Sequence, residues 1–81
     1  LIPVPGAFFN FNGERYKILK AEIGNGIGKN AEVISDNLEI ACGDKKSIKI
    51  LEIQREGKKA QKIGEFMLGS QIRKGSFISN V

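Results

Sequence analysis

The sequence predicts a mainly β domain: about five short strands bent into a small closed or nearly closed barrel, with one short helix. Three observations carry this reading. Short runs of alternating apolar and polar residues are separated by Gly, Asn and Asp turns. Two of the runs change phase partway along, as curved strands do. One segment alone has helical spacing.

Residues 1–6 are expected to be extended, because Pro3 and Pro5 fix their own φ and bias their predecessors away from helix. Residues 7–12 alternate Phe9 and Phe11 with Asn10 and Asn12, the pattern of a half-buried strand. Asn12-Gly13 is a strong hairpin signal, since both central residues of a type I′ turn need φ > 0. The return strand covers residues 14–23. Tyr16 and Ile18 share one face of it, whereas Leu19, Ala21 and Ile23 share the other, which points to a β-bulge.

Residues 24–30 read as a flexible loop. Residues 31–35 and 38–42 read as short strands around an Asp36-Asn37 turn. Cys42 alternates with Leu38 and Ile40 and is expected to be a small buried hydrophobe. After a turn at Gly43-Asp44-Lys45-Lys46, residues 47–54 form a longer strand. It too changes phase: Ile48 and Ile50 lie on one face, Leu51 and Ile53 on the other. Residues 61–68 read as a helix with Ile63, Phe66 and Met67 on one side and Gly69 as its C′ residue. Residues 72–78 form a last extended segment. Phe9, Phe11, Ile18, Ile40, Ile50, Ile53 and Phe66 are the expected core. A five-stranded OB-like (Greek-key) barrel fits this element order best.

A chain of 81 residues makes one domain, spanning residues 1–81. A domain this small buries only about 60–65% of its unfolded surface. No apolar run approaches the ~18–20 residues that a membrane span requires. The chain begins with Leu1 rather than Met, so a piece of a longer protein is expected. Net charge is +4 and the pI is about 9.4. The cations are spread along the chain rather than gathered in a tail, which favours a basic face that meets polyanions. Cys42 is the only cysteine, so no intrachain disulfide can form and cytoplasmic residence is expected. There is no histidine. A Ser-His triad and a His-ligated metal are therefore excluded, and no catalytic, metal or cofactor-binding residue is expected in this domain.

Gly24-Asn25-Gly26-Ile27-Gly28-Lys29 invites a phosphate-loop reading, which fails in detail. Ile23 stands where the first glycine of that motif belongs, and Asn30 follows Lys29 in place of Ser or Thr. The cationic turns are better candidates. Lys58 and Lys59 follow Gly57, Lys45 and Lys46 follow Asp44, and Arg73 and Lys74 precede Gly75. Long cationic side chains on protruding turns suit phosphate contacts. Lys17, Lys20 and Lys49, on strands, would widen a basic face. Phe9, Phe11 and Phe66 follow structural periods and are assigned to the core, whereas Phe8 and Tyr16 are less constrained.

Several blocks together resemble the C-terminal domain of the methionyl-tRNA formyltransferase family. They are Pro3-Val4-Pro5-Gly6-Ala7-Phe8, Asn12-Gly13-Glu14-Arg15, Ala41-Cys42-Gly43-Asp44, Leu51-Glu52-Ile53-Gln54 with Gly57-Lys58-Lys59, and Phe66-Met67-Leu68-Gly69. The sequence departs from the family pattern at Val4 (usually aromatic), at Lys62 (usually a Ser helix cap) and at Lys45 (usually Gly).

The resemblance implies an OB-like domain that holds initiator methionyl-tRNA, largely through phosphates. It implies a separate N-terminal catalytic domain with 10-formyltetrahydrofolate as co-substrate, and a monomer in the cytoplasm without membrane contact. The candidate tRNA-binding residues on this reading are Lys58, Lys59, Arg73, Lys74, Lys45, Lys46, Lys17, Lys20 and Lys49. Two alternatives stay open. One is the equivalent domain of a sugar-nucleotide formyltransferase or a formyltetrahydrofolate dehydrogenase; the other is a protein-interaction barrel.

Overall fold

The computed structural model of the chain describes residues 7–79, so the expectation for Pro3 and Pro5 lies outside the described residues. Five strands form one antiparallel sheet: β1 (Phe8–Phe11), β2 (Glu14–Gly24), β3 (Glu39–Gly43), β4 (Lys46–Arg55) and β5 (Ala60–Lys62). One helix follows, α1 (Ile63–Leu68). The sheet order is β1-β2-β4-β3, and β5 joins the β3 side of β4 at its far end. The mainly β architecture with one short helix is therefore as expected.

Curvature comes from one irregularity. β2 and β4 pair regularly from Tyr16↔Arg55 to Ile18↔Ile53 and again from Ala21↔Ile50 to Gly24↔Ser47. Between them the register shifts around Lys20. The interruption falls at Leu19 and Leu51, where the sequence changes phase. Both strands turn there, so Ile50 and Ile53 both reach the core although they are three apart. Ala21 is likewise buried. Leu19 and Ile23 remain 41% and 47% exposed.

The sheet curls into a half-barrel whose open side is spanned by backbone hydrogen bonds. Residues 31–34 lie along β3, with Ala31 N–H donating to Ala41 O at 2.8 Å and Ile34 N–H to Glu39 O at 2.8 Å. Residues 75–79 then link that segment to β1. Val33 N–H donates to Ser76 O, and Asn10 and Ser79 exchange bonds of 2.7 and 2.8 Å. The expected strands at 31–35 and 72–78 are thus reduced to single bridges at Glu32, Val33, Phe77 and Ser79.

The core is Phe9, Tyr16, Val33, Leu38, Ile40, Ile50, Ile53, Phe66 and Ile72, with Phe11 and Ile18 packed at its margin. Tyr16 stacks on Phe9 at 5.2 Å and meets the Phe66 ring edge-on at 5.7 Å. Such aromatic contacts add about 0.5–1.5 kcal/mol beyond area burial.

Three other expectations are corrected. The helix starts at Ile63, not Gln61, because Gln61 and Lys62 pair with Ile53 and Glu52 of β4. Lys62 holds the N-cap position and makes no side-chain cap, as its lack of an acceptor dictates. Gly69 ends the helix with φ −115°, not in the left-handed region. Cys42 is exposed; the register shift between Ala41 and Gly43 turns it outward while Ala41 is buried.

The segment 24–30 is not a loose connector. Gly24, Gly26 and Gly28 lie against side chains of the outer sheet face. A Cβ on Gly24 would stand 2.7 Å from Ser47 Oγ, and one on Gly26 would meet Ile34 Cδ1 and stand 2.5 Å from Glu39 Oε2. Gly26 N–H donates to Ser47 Oγ at 2.9 Å, and that hydroxyl donates to Glu39 Oε2 at 2.5 Å. Ser47 is 1% exposed. Close approach, rather than positive φ, is what requires glycine here.

Three measurements check this account. Gly26→Ala should lower unfolding free energy by about 1–3 kcal/mol, whereas Gly64→Ala, with open space around its helical position, should raise it by up to about 1 kcal/mol. Urea titrations giving both substitutions the same sign would contradict the packing described.

Asp44 and Lys45 both have positive φ, 52° and 59°. An L-residue pays about 1–2 kcal/mol there. Lys45→Gly should therefore gain about 0.5–1 kcal/mol after glycine's own entropy cost, again read from urea midpoints.

Burial raises the Tyr16 pKa above 10.0, partly opposed by Arg55 and reinforced by Glu14. Its stabilising contribution is therefore complete below pH 10.0 and is lost as pH rises through the folded value. Tyr16 is the sole tyrosine, so phenolate absorbance should titrate later in the folded than in the urea-unfolded chain. Tyr16→Phe should reduce the alkaline loss of stability.

Candidate nucleic-acid interface

The inward rows of β1, β2, β4 and β5 end in an open cleft of about 620 Å³ at the hairpin end of the half-barrel. Its floor is aromatic: Phe11, Tyr16 and Phe66. Its rim is polar and includes Arg55, Lys58, Lys59 and Gln61. Residues 69–71, which lead out of α1 towards Arg73, complete the wall.

A β-turn presents the lysines. Lys58 N–H donates to Arg55 O at 2.9 Å, and Gly57 between them has φ +83°. That is the third-position geometry for which a type II turn needs glycine. Gln54 Nε2 donates to Lys58 O at 2.9 Å and fastens the turn to β4. Arg73 and Lys74 sit on a turn of the same design. Ser76 N–H donates to Arg73 O at 3.0 Å, with Gly75 at φ +96°. Arg73 Nη1 reaches Met67 O at 3.4 Å, against the C-terminal end of α1. Lys74 N–H donates to Asp36 Oδ1 at 3.2 Å.

The sequence-predicted cations do not form one surface. Lys58 and Lys59 line the cleft, and Arg73 reaches the last turn of α1. Lys45 and Lys46 stand at the other end of β4, up to about 30 Å away along a ten-residue strand. Lys20 lies 3.6 Å from Glu52. Lys49 stands between Glu22 and Glu39 in cross-strand register, so neighbouring carboxylates offset its charge. Lys17 is exposed on the outer face, opposite Phe8 and Gln54.

Arg55 was not among the sequence-predicted site residues, yet it lines the cleft. Its Nε donates to Glu14 Oε1 at 3.2 Å, and that bond raises its pKa further. Only its position just before Gly57-Lys58-Lys59 could have signalled it. The glycine-rich segment offers no anion site, because Glu39 and Glu32 face its glycines. Among the described residues no group of three or more acidic, Cys or His side chains is placed to hold a metal ion. No helix of the described residues is long and apolar enough to cross a membrane.

The chain is 68% identical over its full length to the methionyl-tRNA formyltransferase of Pelagibacter ubique, covering 26% of that protein. It is 40% identical to the enzyme of the same name from Bradyrhizobium diazoefficiens, over 94% of this chain and 25% of the relative. For Rickettsia felis the figures are 42%, 94% and 25%. The chain thus spans about a quarter of the length of these relatives. Residues 1–71 match the family described as the formyl transferase C-terminal domain, and the chain belongs to that family.

Proposed function

We propose that this domain is the tRNA-holding module of a methionyl-tRNA formyltransferase. It binds initiator methionyl-tRNA through backbone phosphates and turns the acceptor end towards a separate N-terminal domain. That domain transfers formyl from 10-formyltetrahydrofolate to the methionyl amino group, in the cytoplasm. The observation that carries the reading is the match along the whole chain to proteins named methionyl-tRNA formyltransferase. The greater length of the relatives supports a reading in which the chemistry lies outside these residues.

Physical chemistry supports the division of labour. Lys58 and Lys59 project from a turn that Gly57 and Gln54 hold rigid, and Arg73 projects from the next. These are point contacts to phosphate, which set orientation without reading sequence. Lys74 follows Arg73 on that turn, where its backbone N–H donates to Asp36 Oδ1. Lys45 and Lys46, at the other end of β4, add long-range attraction, and Lys17 lies on the outer face of the hairpin. Lys20 and Lys49 add least, given the carboxylates beside them.

Counterion release provides the test. For about three to five phosphate contacts, log K against log[salt] should slope between about −2 and −4.5. Fluorescence anisotropy with labelled tRNA at several salt concentrations measures this. Initiator and elongator tRNAs should bind this domain similarly. The Lys58→Glu/Lys59→Glu pair should weaken every tRNA about equally and flatten the slope, and Arg73→Glu should do so to a smaller degree. Salt-independent binding, or charge-reversed variants that bind like the parent, would reassign these turns to solvated surface.

A further inference from the structure

The outer face of the β1–β2 hairpin carries an arrangement that phosphate contacts do not use. Register sets Phe8 opposite Lys17 and Asn10 opposite Arg15, while Phe9 and Tyr16 point into the core. Phe8 and Arg15 are therefore diagonal neighbours on the outward side, within reach of each other for long side chains. The Arg15 guanidinium carbon lies over the Phe8 ring, 4.1 Å from its centre. Arg15 is exposed, and it belongs to neither ion pair among the described residues, Lys20–Glu52 and Arg55–Glu14. Its planar cation is thus held on one side by an aromatic ring and open to solvent on the other.

We propose that Arg15, seated on Phe8, is a stacking platform for one unpaired nucleobase, with Lys17 holding the phosphate of the same nucleotide. The idea rests on the RNA-binding reading above and adds a base contact to it. Unstacked bases are bound on aromatic rings and on guanidinium planes, and every base has a face that can stack. The Phe8 ring fixes the guanidinium before the base arrives, so little side-chain freedom remains to be lost on binding. A lysine could not replace it, since an ammonium has no plane to offer. Lys17 is the cross-strand neighbour of Phe8 and is itself exposed, one step from the platform. The cleft lysines on the turn after β4 meet phosphates of a folded RNA; this hairpin face meets a nucleotide outside a duplex.

The test compares two single-stranded oligonucleotides of about eight residues, a length within the usual site size. One carries bases; the other is abasic with the same phosphates. Anisotropy should show the first binding about ten-fold tighter, the scale of one stacked base. Arg15→Lys should abolish that margin while leaving the salt slope unchanged. Phe8→Leu should abolish it too, with its fold checked by circular dichroism. Lys17→Gln should weaken both oligonucleotides alike and flatten the slope by about 0.7. Equal binding of the two oligonucleotides, or a margin that survives Arg15→Lys, would overturn the platform; Arg15 over Phe8 would then be a staple within the hairpin. A parallel titration with tRNA separates the two readings. Binding of tRNA without the margin leaves phosphate contact standing and removes the platform. A margin without tRNA binding keeps the platform and removes the tRNA assignment. Binding of neither removes both.

Discussion

β4 is hydrogen-bonded along both edges, and every other element takes its place from that fact. β2 runs along one edge from end to end. β3 occupies the first half of the other edge, and β5 the second half. Backbone donors and acceptors buried in the middle of the domain must be paired, and this arrangement pairs them, with residues 25–38 carrying the chain from β2 across to β3 on the far side of β4. The interruption at Leu19 and Leu51 then bends both long strands at one place. From that bend follow the half-barrel, the shared inward direction of Ile50 and Ile53, and the mouth in which Tyr16 and Phe66 meet.

The same bend divides the surface into inward-facing and outward-facing rows. Inward-facing rows end at the cleft, whose rim carries Arg55, Lys58 and Lys59. Outward-facing rows carry Phe8, Arg15 and Lys17 on the hairpin and the Glu22–Lys49–Glu39 row further along. Charge is therefore unevenly distributed around a domain of net charge +4. At the hairpin end Arg55 is paired with Glu14, while Lys58 and Lys59 belong to neither ion pair among the described residues; along the middle of the sheet Lys20 and Lys49 stand beside carboxylates.

Much of this was legible in the sequence. The Asn12-Gly13 turn has positive φ at both residues, 55° and 82°, as its composition demands. The two phase changes located the bend. Ile63, Phe66 and Met67 share the side of α1 that packs on the core. What escaped has a common cause. Alternation identifies a strand that pairs with any neighbour, but it does not say which backbone groups find partners. Residues 31–35 alternate well enough, yet single bridges are all they make. Gln61 and Lys62 fit a helix by composition, but β4 had an open edge to fill. Cys42 was misplaced because a register shift beside a turn reverses faces within one residue. Leu38 and Ile72, both fully buried, were not in the expected core, although Leu38 alternates with Ile40. The candidate cations were all visible as residues. Their separation across two ends and two faces was not, because a count of lysines holds no information about strand direction.

The glycine-rich stretch after β2 has the composition of a hinge, but its wiring is that of the sheet. The amide of Gly26 is bonded to a hydroxyl that β4 keeps out of water, and that hydroxyl is in turn bonded to a carboxylate on β3. Lifting the segment would break the first bond and leave the buried Ser47 oxygen short of a partner, while Ile34 would lose the surface it covers. In native-state hydrogen exchange, the Gly26 amide would then open together with the β3–β4 ladder rather than with the chain ends. The segment is, in that sense, part of the same cooperative unit as the five strands, and intolerance of side chains at its glycines reports on how the sheet is roofed, not on a ligand.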